Sequence, residues 1–424
     1  MHITSTQLKA VLVDVITPQT TKAEAEIRLY ELENLVNTFG GLVVVKTIQK
    51  RGLPDYDTYV GKGKLDEIIA EARENGANLL ILNNILKPKQ IYNLDEYFRE
   101  AKIEMKAWDR VDLILKIFDK HAKTTEAKLQ IELAAIKHMG PRIYGMGIEL
   151  SQQSGAVGIR SGQGETNTEL MKRHLRNQEL NIIDKLKHYD LINKGHRERR
   201  KRQNFKSVAI VGYTNAGKSS LLNALTGKDV YIADKLFATL DTRIGKIYIP
   251  PKQHIQADGQ YIPGKEILIS DTIGFIRDLP PLLIQAFKST LAEAIDADLV
   301  LHVVDINDKE MHTKIDVVEE ILNQLGLTDR QRIYAFNKVD MMAHRIHFED
   351  KRKLKSQLQR KTNLVKAGEY SAAILGWTSS KKGDAAKKSV TTLKRKYKKF
   401  DPVFVSAHKK INLEQLIEKL SKYL

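Results

Sequence analysis

The residues richest in chemistry are Gly212, Tyr213, Thr214, Asn215, Ala216, Gly217, Lys218 and Ser219. Their spacing is G-x-x-x-x-G-K-S, with an apolar run at 208–211 before it and a helical pattern at 220–225 after it. That context is the one in which such a loop cradles phosphate. The glycines let backbone N–H groups converge on phosphate oxygens, and the helix N-terminus adds partial positive charge. Lys218 is expected to reach the β- and γ-phosphates, and Ser219 to ligate Mg²⁺.

Asp271, Thr272, Ile273 and Gly274 follow a second apolar run at 267–270. A carboxylate at a strand's end suits a water-mediated contact to Mg²⁺, and Gly274 can offer its N–H to a γ-phosphate. Asn337, Lys338, Val339 and Asp340 follow a third run at 333–336. The Asp340 carboxylate can accept from guanine N1–H and the 2-amino group, a donor pair that adenine lacks, so this position selects GTP. Val405, Ser406 and Ala407 supply a loop whose amides face guanine O6. Between the phosphate loop and Asp271 a threonine is needed to complete Mg²⁺ coordination. Phe237, Ala238, Thr239, Leu240 and Asp241 offer Thr239, with Thr242 as competitor, and spacing alone does not choose between them. Lys218, Asn215, Thr239 and Gly274 are thus the expected catalytic group. The position after Gly274, where many GTPases carry a water-orienting glutamine, is Phe275. Slow intrinsic hydrolysis follows, accelerated by a partner or an ion. Asn215 resembles the asparagine of potassium-stimulated GTPases, which makes K⁺ a second expected cofactor.

The elements that must hold these residues are legible as alternation. Short strands at 11–14, 42–47 and 79–82 alternate with helical spacing at 22–39 and from 64 to 74, giving a small α/β domain over 1–108. Helical spacing then starts at 109, resumes at 125–138 and stops at Gly140-Pro141. A Gly-, Ser- and Gln-rich loop at 144–164 leads to a long helix at 168–203, so 109–204 reads as a helical hairpin with a tip loop. Short apolar strands separated by helices then give an α/β phosphate-loop GTPase domain, with a parallel sheet covered on both faces, over 205–341 and 401–424. A basic insertion at 342–400 interrupts it.

Composition bounds the setting. The 424 residues exceed the size at which one core stops growing. The absence of cysteine excludes disulfides, thiolate metal sites and a cysteine nucleophile. No signal-peptide pattern and no apolar run near ~20 residues is present, so the expectation is a cytoplasmic, monomeric protein with no membrane span. The formal charge of +17 argues for a polyanionic partner, and it is local. Residues 342–400 hold 17 Lys/Arg against 4 Asp/Glu, and 172–206 carry a smaller surplus.

These residues resemble the HflX family of GTPases. The matching stretches are Val60-Gly-Lys-Gly-Lys64, Asp109 to Leu115, Lys128 to Leu133, Gly162 to Glu165, Phe237 to Asp241 and Asp271 to Pro280. The resemblance implies a factor that binds GTP and GDP, docks on the large (50S) ribosomal subunit and its rRNA, and splits or rescues stalled ribosomes. The loop 144–164 would point toward the peptidyl-transferase region. The nucleotide contacts carry over to 212–219, 237–241, 271–274, 337–340 and 405–407, and Mg²⁺ to Ser219 and Thr239. The chain departs from the family at Asn167-Thr168-Glu169 and Met171-Lys172-Arg173, and in the length of 342–400. Two other functions compete. One is an RNA-binding ribosome assembly or hibernation factor with incidental turnover. The other is an ATP-driven RNA remodeller, which needs adenine binding.

Overall fold

The computed structural model describes residues 7–138, 167–227, 243–249, 264–280, 283–284, 288–342 and 390–424. The chain divides into two compact units. One comprises Met1–Asn193 with Pro280–Lys288, the other Lys194–Leu279 with Ser289–Leu424.

In the first unit β1 (Lys9–Ile16), β2 (Leu42–Lys50), β3 (Leu79–Leu82) and β4 (Lys106–Asp109) form a wholly parallel sheet in the order β2-β1-β3-β4. β1 and β3 lie inside the sheet with both faces covered, which is why β3 and most of β1 read as apolar runs rather than alternations, with buried Asp14 of β1 paired to Arg28 at 3.2 Å. α1 (Lys22–Phe39) starts at a capping box in which the Thr21 hydroxyl accepts from the Glu24 amide and the Glu24 carboxylate accepts from Thr21. It ends at Gly40, whose left-handed φ of 101° permits the terminating turn. α2 (Lys62–Asn75) and α3 (Pro88–Glu100) complete the layers. The Gly61-Lys-Gly-Lys64 stretch is the start of α2, with Lys64 paired to Glu67 at 2.6 Å.

Asp109 ends β4 and caps α4 (Arg110–His121), accepting the Asp112 amide at 2.9 Å. The sequence reading placed this helix in the hairpin. Here α4 packs on α1, β3 and β4, and its buried Arg110 reaches Asn83 and Glu31 at 2.9 Å each. The shift follows from composition: eight of its twelve residues are buried, more than one face of a hairpin would cover. α5 (125–138) and α6 (Asn167–Arg202) run antiparallel. Glu126 accepts from Asn193 at 3.0 Å, while Lys137 pairs with Glu179 at 3.7 Å, and Ile131, Ala134, Leu175 and Ile182 are buried. The expected tip loop 144–164 lies outside the described residues.

In the second unit six strands pair in the order β10-β9-β8-β5-β7-β6. They are β5 (Lys206–Val211), β6 (Arg243–Ile249), β7 (Lys265–Asp271), β8 (Leu299–Asp305), β9 (Arg332–Asn337) and β10 (Val403–Phe404). All pairings are parallel except β6 with β7. The sheet is thus parallel, as expected, with one antiparallel edge. β6 alternates buried and exposed residues, as an edge strand with one covered face should. α7 (Lys218–Thr226), α8 (Lys288–Asp296), α9 (Met311–Gln324) and α10 (Leu413–Tyr423) are its described helices of regular length.

Residues 390–400, the last part of the basic stretch 342–400, pack onto the sheet. Leu393 and Tyr397 are buried, and Phe400 stacks on Tyr334 at a centroid distance of 4.3 Å. With Phe336 and Phe404 they form a core cluster under β9. The lysines there mask the apolar spacing in any charge count. Among the described residues no helix is long and apolar enough to cross a membrane.

Candidate active site

β5 delivers the chain into the loop 212–217, and α7 begins at Lys218. Glycine is required at two positions. A Cβ on Gly212 would stand 2.3 Å from the Val303 carbonyl oxygen, and one on Gly217 2.3 Å from Asn337 Nδ2. Gly217 also holds φ at 89°, as Asn215 does at 61°, in the left-handed region open to Gly and Asn. The loop therefore curls its backbone around the space ahead of α7, where the helix directs its N–H groups.

Lys218 is buried and donates to the carbonyls of Gly212 at 3.1 Å and Tyr213 at 2.9 Å. Burial pulls its ammonium down to about 8, with the Asp271 carboxylate opposing and the Lys338 charge adding to the fall. Such an amine is primed to gain from an anion placed beside it. The Ser219 hydroxyl donates to Asp271 Oδ2 at 2.6 Å. Two hard oxygen donors therefore meet at the mouth of the loop, the donor type that Mg²⁺ takes.

Each motif ends a strand, and the sheet brings the strand ends together. Thr272 is turned inward, donating to Ile210 O at 2.7 Å, and Ile273 is buried. Both hold the segment rather than face a ligand. Asn337 acts the same way, donating to Ala216 O at 3.0 Å and accepting the Ala407 amide at 3.0 Å. One side chain thus ties the phosphate loop to the 405–407 loop. Val339 N donates to Val405 O, and buried Ser406 accepts the Lys409 amide through its hydroxyl. Lys338 lies along the loop, donating to Asn215 O at 2.8 Å and pairing with Asp305 at 2.8 Å. Asp340 stands in a short 3₁₀ turn, and its Oδ1 is buried with no hydrogen-bond partner among the described residues. Buried acceptors are rarely left so. Thr214 Oγ1 is in the same condition.

Phe237, Ala238, Thr239, Leu240, Asp241 and Thr242 lie outside the described residues. Phe275 is wholly buried and pairs with Tyr213 in a parallel bridge, so the position following Gly274 faces the core.

Sequence reasoning missed Asp305, Arg277 and Glu310. Asp305 has a local signal, an acid closing the apolar strand 299–304. Arg277 and Glu310, paired at 2.9 Å, have none, because 33 residues separate them.

Three protein-family models match the chain: "GTP-binding GTPase N-terminal" over 26–119, "GTP-binding GTPase Middle Region" over 121–200 and "50S ribosome-binding GTPase" over 207–338. GTPase HflX of Caldanaerobacter subterraneus subsp. tengcongensis is 43% identical over 335 residues, covering 79% of this chain and 73% of that protein. GTPase HflX of Flavobacterium psychrophilum is 39% identical over 342 residues, covering 79% and 76%. Among solved structures, SsGBP in complex with GDP aligns over 98% of each chain at 24% identity with a TM-score of 0.48. With its phosphate loop, strand-end motifs and all three family regions in order, this chain belongs to the HflX family of GTPases.

Proposed function

We propose that this chain binds GTP, hydrolyses it to GDP and phosphate with Mg²⁺, and in its GTP form docks on the large ribosomal subunit to separate or rescue stalled ribosomes. The observation that carries the nucleotide part is the bridging Asn337 side chain, 3.0 Å from both Ala216 O and the Ala407 amide. It ties the phosphate loop to the loop at 405–407.

In this reading the amides of 214–219 and the Lys218 ammonium hold the β- and γ-phosphates. The site's oxygens at Ser219 and Asp271 fit a bound Mg²⁺, which supplies charge neutralisation on the phosphates. Asp340 Oδ1 and Oδ2 accept the guanine N1–H and 2-amino protons, which supplies its missing partner. Gly274 turns its N–H toward the γ-phosphate. Water attacks the γ-phosphorus as the bond to the β-bridging oxygen breaks, and the bridging oxygen's charge falls beside Lys218 and the loop amides. Thr239, with Thr242 as competitor, would complete the Mg²⁺ coordination. Phe275 cannot orient the water, so turnover depends on K⁺ at Asn215 or on the docked ribosome.

The ribosomal part rests on the family and on its 50S-binding GTPase region. Co-sedimentation with purified subunits tests it. The expected result is large-subunit binding with a non-hydrolysable GTP analogue and release with GDP. Equal binding in both nucleotide states would instead favour an assembly or hibernation factor with incidental turnover.

A further inference from the structure

Tyr213 is the second residue of the phosphate loop, and its side chain is engaged by the segment after β7 and by α9. The hydroxyl accepts the Arg277 backbone N–H at 2.7 Å. The Arg277 guanidinium pairs with Glu310 at 2.9 Å, and both side chains are largely shielded from water. Glu310 stands at the N-terminus of α9, where a carboxylate is electrostatically favoured. One turn into α9, the Lys314 ammonium sits 4.8 Å from the Tyr213 ring centroid. Between these anchors Phe275 is clamped by backbone: its N–H donates to Gly212 O at 3.1 Å, and its carbonyl accepts the Thr214 N–H at 2.8 Å. Gly274, immediately before it, lies against the catalytic amine, since a Cβ there would stand 2.9 Å from Lys218 Nζ and 2.7 Å from Thr214 Cγ2.

We infer that Tyr213, Arg277 and Glu310 form a strap that positions the Gly274 amide for the γ-phosphate, with Glu310 as a positioning residue outside the nucleotide motifs. The inference rests on the reading of this cavity as a GTP site. Its physical basis is simple. Among the described residues the segment after β7 has one backbone bridge to the phosphate loop, and a neighbouring Asp278 holds φ at 51° in a turn. The strap fixes the far side of that bridge. A group that senses only the γ-phosphate should then matter for GTP and not for GDP.

The test measures affinity for GDP and for a non-hydrolysable GTP analogue, together with single-turnover hydrolysis, in Arg277→Ala, Glu310→Ala and the Arg277→Ala/Glu310→Ala double variant. The expected result is GDP affinity unchanged within about twofold and analogue affinity weakened about three- to tenfold, the range of a partly shielded ion pair or hydrogen bond. Hydrolysis slows in the same variants. The double variant is no worse than the worse single one, because each single change already breaks the pair. Parallel loss of GDP and analogue affinity would reduce the strap to a stability element and overturn the inference. So would wild-type ratios throughout, or additive losses in the double variant. Wild-type protein with no guanine preference would instead sink the GTP-site reading itself, before any variant is made.

Discussion

At the scale of single residues the site separates side chains that touch ligand from those that hold others in place. Asn337 and Thr272 sit inside nucleotide motifs, yet both are consumed by carbonyls of neighbouring strands and loops. Asp340 is the opposite case, with a buried oxygen lacking any partner among the described residues. In the proposed function an acceptor so placed discriminates by leaving itself unpaired with the wrong base. Replacing it with asparagine puts an N–H₂ donor where guanine also donates. Asp340→Asn is expected to weaken GTP binding by about a hundredfold or more and to raise affinity for XTP, whose base carries a carbonyl at the 2-position. Fluorescent-nucleotide titration reads both; unchanged GTP affinity would remove Asp340 from the base site. Asn215 makes the second residue-scale prediction. It is exposed at the loop's crest, its carbonyl held by Lys338 and its side chain free of any structural duty that these contacts define. Turnover is expected to be faster in K⁺ than in Na⁺ buffer, and Asn215→Ala to erase the difference while leaving GDP affinity within about twofold. Equal wild-type rates in the two salts would rule out K⁺.

At the scale of elements, what the sequence discloses depends on whether a requirement is local. The phosphate loop is local: Gly212 and Gly217 have no room for a side chain, and Asn215 tolerates a positive φ. So are the strand-end acids, because a parallel strand buried on both faces stops abruptly where a polar residue begins. The Tyr213–Arg277–Glu310 arrangement is not local and leaves no spacing to detect. β6 escapes notice because an edge strand's half-polar alternation resembles a loop, and residues 390–400 because lysine tips cover an apolar core. The junction of β4 and α4 shows a further non-local dependence. Burial pushes the Asp109 carboxyl upward, but the His138 imidazole at 3.1 Å and the amides of Asp112 and Leu86 outweigh it and hold it below the ordinary carboxylate value. A carboxylate depressed on folding stabilises above its unfolded value of about 3.9, and that stability is lost as pH falls through the folded value. Urea unfolding followed by Trp108 fluorescence is therefore expected to keep a flat midpoint from pH 7 to about 5 and to fall below pH 4. His138→Ala should cost about 1–3 kcal/mol at pH 7, because a buried carboxylate loses a charged or hydrogen-bonding partner. A variant as stable as wild type would show that the Asp112 and Leu86 amides suffice.

At the scale of the molecule the question is where positive charge remains available to a polyanion. Much of the conspicuous basic end of α6 is paired internally. Arg197 meets Asp296 at 2.7 Å, Arg200 meets Glu293 at 2.6 Å, and Lys201 shares Asp296 at 3.8 Å. That cluster anchors α6 to α8, so part of the basic surplus at 172–206 serves the fold. Residues 390–400 are anchored to the core through Leu393, Tyr397 and Phe400, while Lys394, Arg395, Lys396, Lys398 and Lys399 stay exposed. The larger surplus falls on residues 343–389, which lie outside the described residues and whose sequence holds 12 Lys/Arg against 4 Asp/Glu. Contacts with rRNA phosphates release counterions, so each one steepens the fall of log affinity with log salt by about 0.7–0.9. Exchanging Lys351, Lys353, Lys355, Lys381, Lys382, Lys387 and Lys388 for glutamine is expected to lower that slope by about 2 or more in large-subunit co-sedimentation, the equivalent of three phosphate contacts. GDP affinity should not change, because none of these lysines belongs to a nucleotide motif. A slope equal to that of the wild type would mean that the insertion's charge only solvates it, and that docking depends on the surfaces of the two folded units.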